Sequence, residues 1–413
     1  MASELQPSRG RLERRIWRPQ RDYGAGRGHR TTQTIHCFVP DPVADWDPPL
    51  TAAIAGTLAE ADAAVRDLNE ELPRLASLEA LSRQLLRQES VGSSRIEGLM
   101  MGQRRLARAE AGVGRDDTAR QIVGNVRAME SAIALASELR DFQLDDLLEI
   151  HVRLLDCTRD EHLGGVVRKE QNWVGGSAFS PAGAEFIPPP EDALPALLDD
   201  LVAFINRDDL PVTMQAAIAH AQFETIHPFI DGNGRVGRSL IHVILRRRGL
   251  APSVVPPISL VLATRSKEYV GGLDEYRFAE MSDWLVFFAV ATISAARKSR
   301  GLAGRVESLY EQWLSRLGNP RSDASSRRIA SQLPAEPIIT VARAAAVAGV
   351  SSTAAENAIR ALERAGILKR VDAKKWGRLW EAQDVFRLLD EFERELAIPE
   401  GGEKPARPAP RIA

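Results

Sequence analysis

The segment His227-Pro228-Phe229-Ile230-Asp231-Gly232-Asn233-Gly234-Arg235-Val236-Gly237-Arg238 gathers an imidazole, a carboxylate, a glycine-rich turn and two guanidinium groups into one short stretch. An imidazole titrates near neutrality, so His227 is a candidate general base. Asp231 offers hard oxygen donors, and magnesium takes one or two carboxylates together with the phosphates of a substrate. Gly232 and Gly234 let the backbone turn tightly, so that the peptide N–H groups around Asn233 converge on an anionic oxygen. From Asn233 onward the pattern is helical and apolar, through Val236, Leu240, Ile241, Ile244 and Leu245. The loop therefore opens a helix, and a helix N-terminus favours phosphate. Arg235 and Arg238 are three apart and share a helix face, which aims two guanidinium forks at one polyphosphate. A purely structural reading, with His227-Pro228 as a helix cap and the glycines as a turn, suits fragments of this constellation but not the whole of it.

Helices must hold that loop. Apolar residues recur at helical spacing over 211–226, immediately before His227, and over about 117–140, 143–157 and 191–206. In the second of these, Val126, Met129, Ile133 and Ala136 form a plain core stripe. Leu58, Ala61, Val65, Leu68 and Leu72 predict helix from Leu50 toward Gly98, the last part beginning near Leu78. Ser93 and Glu97 are four apart and lie on one face, while Gly98 is placed to end the helix or to let another chain come close. His151, His220 and His242 sit within helical patterns and read as core or surface histidines, because no two of them form a metal-binding spacing. Heavy use of Ala, Arg and Leu, all good helix formers, agrees with a mainly helical body.

Between Gly164 and Pro190 the helical pattern stops. Val166 to Gly176 and Phe186-Ile187 carry β-branched and aromatic residues around Gly-Gly and Ser-Pro, which predicts a short hairpin or extended ribbon. Residues 1–47 are rich in Arg, Gly and Pro and read as a flexible tail, although Trp17, Tyr23, Phe38 and Trp46 suggest that part of it lies against the body. Toward the other end, Ser322 to Ser331 reads as a polar linker. Ile338 to Ala342, a helix, a turn at Gly349-Val350-Ser351, a second helix over Thr353 to Ala365 and a basic ribbon with Lys369, Arg370, Lys374, Lys375 and Arg378 follow. Two short helices about a tight turn and then a small β wing resemble a winged helix-turn-helix domain. There Asn357 and Arg360 are candidates for a DNA groove and the lysines for phosphates, with protein docking as the alternative. After Glu400 the prolines and glycines predict a disordered tail.

A formal net charge of −2 gives no global drive toward nucleic acid or anionic membrane. Only Cys37 and Cys157 are present, which argues against a disulfide framework and for a reducing compartment. No apolar run reaches the length of a membrane span, and the Arg-rich start lacks the apolar centre of a secretory signal. The chain is accordingly read as soluble and cytoplasmic, without a membrane partner, and its 413 residues leave room for two or three domains.

The segment from His227 to Arg238 resembles the signature of the Fic (Fido) family, whose members typically transfer AMP from ATP to a hydroxyl of a target protein. The resemblance covers about residues 50–300. It implies His227 as general base, Asp231 as magnesium ligand, and Gly232, Asn233, Gly234, Arg235, Gly237 and Arg238 as the nucleotide-binding set. Ser93, Glu97 and Gly98 resemble the family's inhibitory motif, in which the glutamate pairs with the last arginine of the signature, here Arg238, and blocks a productive γ-phosphate position. Trp173, Val174 and Gly175, with the Pro188-Pro189-Pro190 end, resemble a flap that holds a target segment by strand addition. Where family members often carry two tyrosines, this chain has Glu268-Tyr269, leaving Tyr269 as a candidate adenine contact.

The expected fold is mainly α, a Fic-type helical core with a short β-hairpin flap and a C-terminal winged helix-turn-helix. The expected divisions are 1–47, an N-terminal helical region with the inhibitory motif over 48–112, the core over 113–300, a helical connector and linker over 301–333, the winged helix over 334–398 and the tail over 399–413. The expected function is a protein adenylyltransferase using ATP and Mg2+ on a protein hydroxyl, its own included, and restrained by Glu97. Removal of AMP by the same glutamate, and a DNA-binding regulator with a nucleotide-sensing core, remain the alternatives. The identity of the target protein and the nucleotide are open, and a homodimer burying the Glu97 helix is a candidate assembly.

Overall fold

A computed structural model of the chain describes residues 8–19, 31–71, 78–114, 116–177, 179–371 and 378–397. In chain order these form strands β1 (Gly10–Trp17) and β2 (Gln33–Pro40), then helices α1 (Ala52–Glu71), α2 (Leu78–Ile96), α3 (Gln103–Glu110), α4 (Asp117–Ala136), α5 (Leu144–Leu155), α6 (Leu194–Ile205), α7 (Val212–Ile226) and α8 (Asn233–Arg247). Helices α9 (Ile258–Thr264), α10 (Ser266–Phe278), α11 (Met281–Arg316) and α12 (Ser325–Gln332) follow. Strand β3 (Ile338–Thr340), helices α13 (Val341–Ala348) and α14 (Ser352–Arg364), strands β4 (Lys369–Arg370) and β5 (Leu379–Glu381), and helix α15 (Gln383–Leu396) complete the described chain. The fold is mainly helical with small antiparallel sheets, as expected. Tyr23, Leu72, Lys374, Lys375 and the segment 399–413, each singled out above, lie outside the described residues. No described helix is long and apolar enough to cross a membrane.

The chain forms two compact units, one within residues 1–62, 127–250 and 265–290, the other within 63–126, 251–264 and 291–413. In the first, α7 is buried at every position from Thr213 to Ile226. A helix buried on all sides belongs at the centre of a core, and α6, α8, α10 and β2 flank this one. Trp284, fully buried, donates its indole N–H to the Ala217 carbonyl of α7 at 3.1 Å.

The described part of the N-terminal stretch is not a flexible tail, and its aromatics do lie against the body, Trp17 on Trp173 and Phe38 on Phe186. Strands β1 and β2 form an antiparallel ladder running from Gly10↔Pro40 to Trp17↔Gln33. Strand β2 hides its signal because it is covered on both faces, with Ile35, Cys37, Phe38 and Val39 all buried, and so shows no clean alternation. Three arginines within β1 (Arg11, Arg14 and Arg15) and Arg9 just before it disguise that strand by their charge. The Phe38 N–H donates to the Ile187 carbonyl at 2.9 Å, so β2 supports the far arm of the ribbon over 164–190. Cys37 and Cys157 are free thiols.

In the second unit, α2 and α9 lie in backbone contact at Gly92, where a Cβ would stand 2.3 Å from the Leu260 nitrogen. The buried Glu89 carboxylate accepts the Ser259 backbone N–H at 2.7 Å and also its hydroxyl. The C-terminal part places α13, a turn closed at Gly349, and α14 beside a three-stranded sheet of order β3-β5-β4. Thr340 and Ser351 cap the two helices, each accepting a backbone N–H on its hydroxyl. The polar stretch read as a linker contains helix α12, whose two apolar residues Ile329 and Ala330 are fully buried in the core with Trp313, Leu333 and Leu362. Two buried positions per two turns leave too little apolar pattern for periodicity to reveal.

Candidate active site

The last hydrogen bond of α7 is donated by the His227 N–H to the Phe223 carbonyl at 2.9 Å, and His227 itself turns left-handed, with φ 50° and ψ 59°. For a residue with a Cβ this conformation costs about 1–2 kcal/mol, so the surroundings must hold it. Pro228 cannot continue the helix. The His227 carbonyl accepts from Arg168 Nε at 2.9 Å and from Asn172 Nδ2 at 3.4 Å. The imidazole is half-buried, with Nδ1 3.4 Å from the Glu224 carbonyl oxygen. A proton on Nδ1 leaves the lone pair on Nε2, the form a general base requires.

Beyond it the loop is closed by Asn233, whose Oδ1 accepts the Phe229 N–H and whose Nδ2 donates to the Phe229 carbonyl, both at 2.8 Å. This reciprocal pair is why Asn233, buried itself, sits in the segment. Gly232 takes φ +82° immediately before α8, where a Cβ would be left-handed and 2.7 Å from Leu154 Cδ2. Helix α8 starts with the Val236 N–H on the Gly232 carbonyl at 3.0 Å. The preceding N–H groups have no acceptor within the helix and are the natural partners of an anion.

Sequence reasoning did not assign His151 a part here, but the fold gives it one. Its Nδ1 accepts the Gly165 N–H at 3.1 Å, so the proton is on Nε2, which faces the Asp231 carbonyl at 3.1 Å. The ring stacks on Phe229 at 3.7 Å, and burial pushes its pKa down to about 4. His151 is therefore a neutral, singly oriented donor that fixes the backbone of Asp231. The signal was only a histidine on an apolar helix, which periodicity cannot separate from core. His220, driven down to about 3 by burial and then by the nearby Arg238 charge, is a core histidine as expected.

Arg235 is 3% exposed and bonds Asp231 Oδ2 through NH2 at 2.9 Å, while its Nε and NH1 are buried without a hydrogen-bond partner. Two unsatisfied guanidinium donors beside a helix N-terminus are a polar demand that an anionic oxygen would meet. Arg238, one turn further along, is 1% exposed. Gly237 lets α8 close on α7, since a Cβ would lie 2.8 Å from both Glu224 Oε1 and Phe223 Cδ1. Asp231 keeps its side chain 48% exposed. The described residues contain no group of three metal-ligating side chains. A lone, accessible carboxylate beside an anion receptor fits magnesium held jointly with substrate phosphates, rather than a cage made by protein alone.

The ribbon over 164–190 carries two isolated antiparallel bridges, Val174↔Phe186 and Ser177↔Ser180. Trp173 donates its indole N–H to the Ser177 carbonyl at 2.7 Å and meets Trp17 of β1 edge-on at 5.9 Å, while Gly175 is exposed at the turn. Arg277, 6% exposed, bonds Thr225 Oγ1 at 3.1 Å and the Glu224 carbonyl at 3.2 Å with its guanidinium 3.9 Å above Phe186, which ties α7 to the ribbon. Tyr269 is 3% exposed, and its hydroxyl lies 2.9 Å from His220 Nε2. In the second unit, Ser93 is buried on α2, Glu97 is exposed just past its end, and Gly98 follows with φ +76° and its N–H on the Arg95 carbonyl at 3.0 Å.

The profile of the Fic/DOC family matches residues 141–245, and that of the Fic/DOC family N-terminal region matches residues 55–134. The chain is similar to protein adenylyltransferase fic-1 of Caenorhabditis elegans, 34% identical over 139 residues, or 33% of this chain and 24% of that protein. It is likewise similar to protein adenylyltransferase Fic of Drosophila melanogaster, 34% identical over 143 residues, or 34% and 27% of the two chains. The match thus spans about a quarter of the length of these relatives. Among solved structures, a Fic family protein from Desulfovibrio desulfuricans G20 shares the fold at TM-score 0.50 and 20% identity, over 82% of this chain and 98% of that one. Fic-1 of Caenorhabditis elegans does so at TM-score 0.50 and 24% identity, over 61% and 74%.

Proposed function

Because the chain belongs to the Fic/DOC family, we propose that it is a protein adenylyltransferase, moving AMP from ATP to a Ser, Thr or Tyr hydroxyl of a target protein or of itself. The observation that supports this reading is one short loop that carries His227 at the C-terminal end of α7 and Asp231, paired with the half-satisfied Arg235, at the start of α8. A pure nucleotide sensor needs the anion receptor but not the base. His227 takes the proton as the target hydroxyl oxygen bonds to the α-phosphorus. The bond from that phosphorus to its bridging oxygen breaks in line, and pyrophosphate leaves with the electron pair. The N–H groups at the start of α8 and the Arg235 fork bear the charge that develops on the phosphate oxygens. Magnesium, held by Asp231 and the phosphates, would neutralise part of that charge when bound. The flap residues Trp173, Val174 and Gly175 hold the target segment, and Tyr269 is the candidate on the adenine side.

Glu97 is the restraining residue in this reading. It competes with the γ-phosphate for Arg238, and an α-phosphorus displaced from line loses much of its proximity advantage. Wild type, Glu97→Gly, and Glu97→Gly with His227→Ala are incubated with α-labelled ATP and magnesium, and label fixed to protein is counted. Label in the single variant alone supports the reading. Label in none of the three, with other nucleotides also tried, refutes it in favour of AMP removal or regulation.

The exposed face of α14 favours a second, compatible activity. Asn357 and Arg360 are exposed there, and the order of α13, α14 and a three-stranded sheet supports the winged-helix reading. Arg360 and Arg378 both pair with Glu356, at 3.7 and 2.6 Å, which lowers the positive charge offered to a DNA backbone. A saturable, sequence-selective complex whose affinity falls steeply with salt supports the DNA reading, and salt-insensitive or absent binding removes it.

A further inference from the structure

Arg168 is 2% exposed and is engaged almost wholly by backbone carbonyls. Its Nε donates to His227 O at 2.9 Å, NH1 to Glu170 O at 3.0 Å and NH2 to Pro189 O at 2.5 Å. Its own N–H donates to Pro228 O at 2.9 Å. These acceptors belong to three separate segments, the loop that carries His227 and the two arms of the ribbon over 164–190. Asn172 repeats the link one step on, from Nδ2 to Phe229 O at 3.0 Å, and Gln171 joins the arms through Pro188 O at 3.0 Å. A guanidinium is planar and rigid, so three carbonyls bound to one fork cannot shift independently. Burial brings its pKa down to about 10, which still leaves it charged at neutral pH.

We propose that Arg168 is a positioning residue, fixing the distance between the ribbon that presents a target segment and the imidazole of His227. Its role in transfer rests on the adenylyltransferase reading given above; the mechanical coupling does not. With both the peptide-holding backbone and the base attached to one side chain, the hydroxyl of an extended segment meets Nε2 at a set height. A shift of about 1 Å in such an arrangement costs roughly 100-fold in rate.

The coupling is tested first without any catalysis, by hydrogen–deuterium exchange on the full chain and on Arg168→Met and Arg168→Lys. Amides over 168–176 and 227–231 should exchange together about tenfold faster or more in both variants, with α6 and α8 unchanged, because lysine keeps the charge but not the fork. Unchanged exchange in both variants, or a uniform rise over the whole unit, overturns the proposal. The second measurement places each substitution in the Glu97→Gly background and compares kcat for AMP transfer with the Kd of magnesium ATP. A fall of about 100-fold in kcat, Kd staying within about twofold and Arg168→Lys intermediate, is the expected result. Equal losses in both quantities make Arg168 structural only. No transfer from ATP by Glu97→Gly itself, alongside coupled exchange, would sink the adenylyltransferase reading and leave the mechanical role standing.

Discussion

Gly237→Ala sets two well-known effects of opposite sign against each other. In an exposed helix interior, replacing glycine by alanine stabilises by about 1 kcal/mol, because alanine has less backbone freedom to lose on folding. At Gly237 the new methyl would stand 2.8 Å from Glu224 Oε1, 2.8 Å from Phe223 Cδ1 and 3.3 Å from His220 Nδ1. Phe223 and His220 are fully buried and Glu224 is 7% exposed, so none can swing into solvent. Overpacking a tight core costs about 1–3 kcal/mol, and a methyl inside van der Waals distance of two groups belongs toward the upper end. The net expectation is a loss of about 1–2 kcal/mol. Gly304 of α11 is the internal control, since it is exposed, helical and has nothing within 4 Å of an added Cβ. Calorimetry, compared transition by transition, should show Gly304→Ala raising a Tm and Gly237→Ala lowering one by about 2–8 °C, at roughly 2–4 °C per kcal/mol for a body of this size. A Tm for Gly237→Ala equal to or above wild type would mean that α7 and α8 can separate freely, and would refute the close packing on which the placement of His227 depends.

Removing the Arg235 fork by Arg235→Met should weaken magnesium ATP binding by about 10- to 100-fold, the worth of one or two charge-assisted hydrogen bonds, as read by titration calorimetry. His151 has a folded pKa of about 4, below its unfolded value near 6.5, so its contribution is complete above pH 6.5 and is lost as pH falls toward 4. His151 should therefore account for about 3 kcal/mol of the fall in stability read from the urea midpoint over that window, with His220, lowered to about 3, adding its own share. His151→Gln should make the profile shallower by about that amount without abolishing it. Ser351→Ala removes the hydroxyl that accepts the Ala354 N–H at 3.3 Å and should cost α14 about 1 kcal/mol, measurable as a lower Tm with unchanged AMP transfer.

Residues whose side chains could do chemistry were legible in the sequence, and residues that hold them in place were not. His227, Asp231, Arg235 and Arg238 announce themselves because polar groups, glycines and a change of periodicity coincide within one turn of chain. Arg168 and His151 act through backbone carbonyls, which every residue carries, so nothing in their neighbours' side chains marks the partnership. The same reason hides the strand ladder of β1 and β2. Its hydrogen bonds use backbone groups, and its side chains follow the demands of burial on both faces and of arginine contacts. Helices α4 to α8 were readable to within a few residues because apolar residues recur along each of them at the helical period.

The loop owes its chemistry to which two helix ends it joins. Helix α7 terminates at Ile226 and α8 begins at Asn233, so the segment between them faces the negative end of one macrodipole and the positive end of the other. A C-terminal end favours a cation, which is what the imidazole of His227 becomes once it has taken a proton. An N-terminal end favours an anion, and in the proposed transfer negative charge develops on the pyrophosphate as it departs. The two fields thus stabilise charge that is small before the reaction and large during it, the condition for lowering a barrier rather than merely tightening binding. Both helices are buried over most of their length, where fields of this kind are screened least. Restraint of such a site does not require dismantling it. Occupying one guanidinium, as Glu97 is proposed to do at Arg238, leaves the dipoles, the base and the fork of Arg235 in place, so a single substitution at position 97 should release activity without any refolding of the loop.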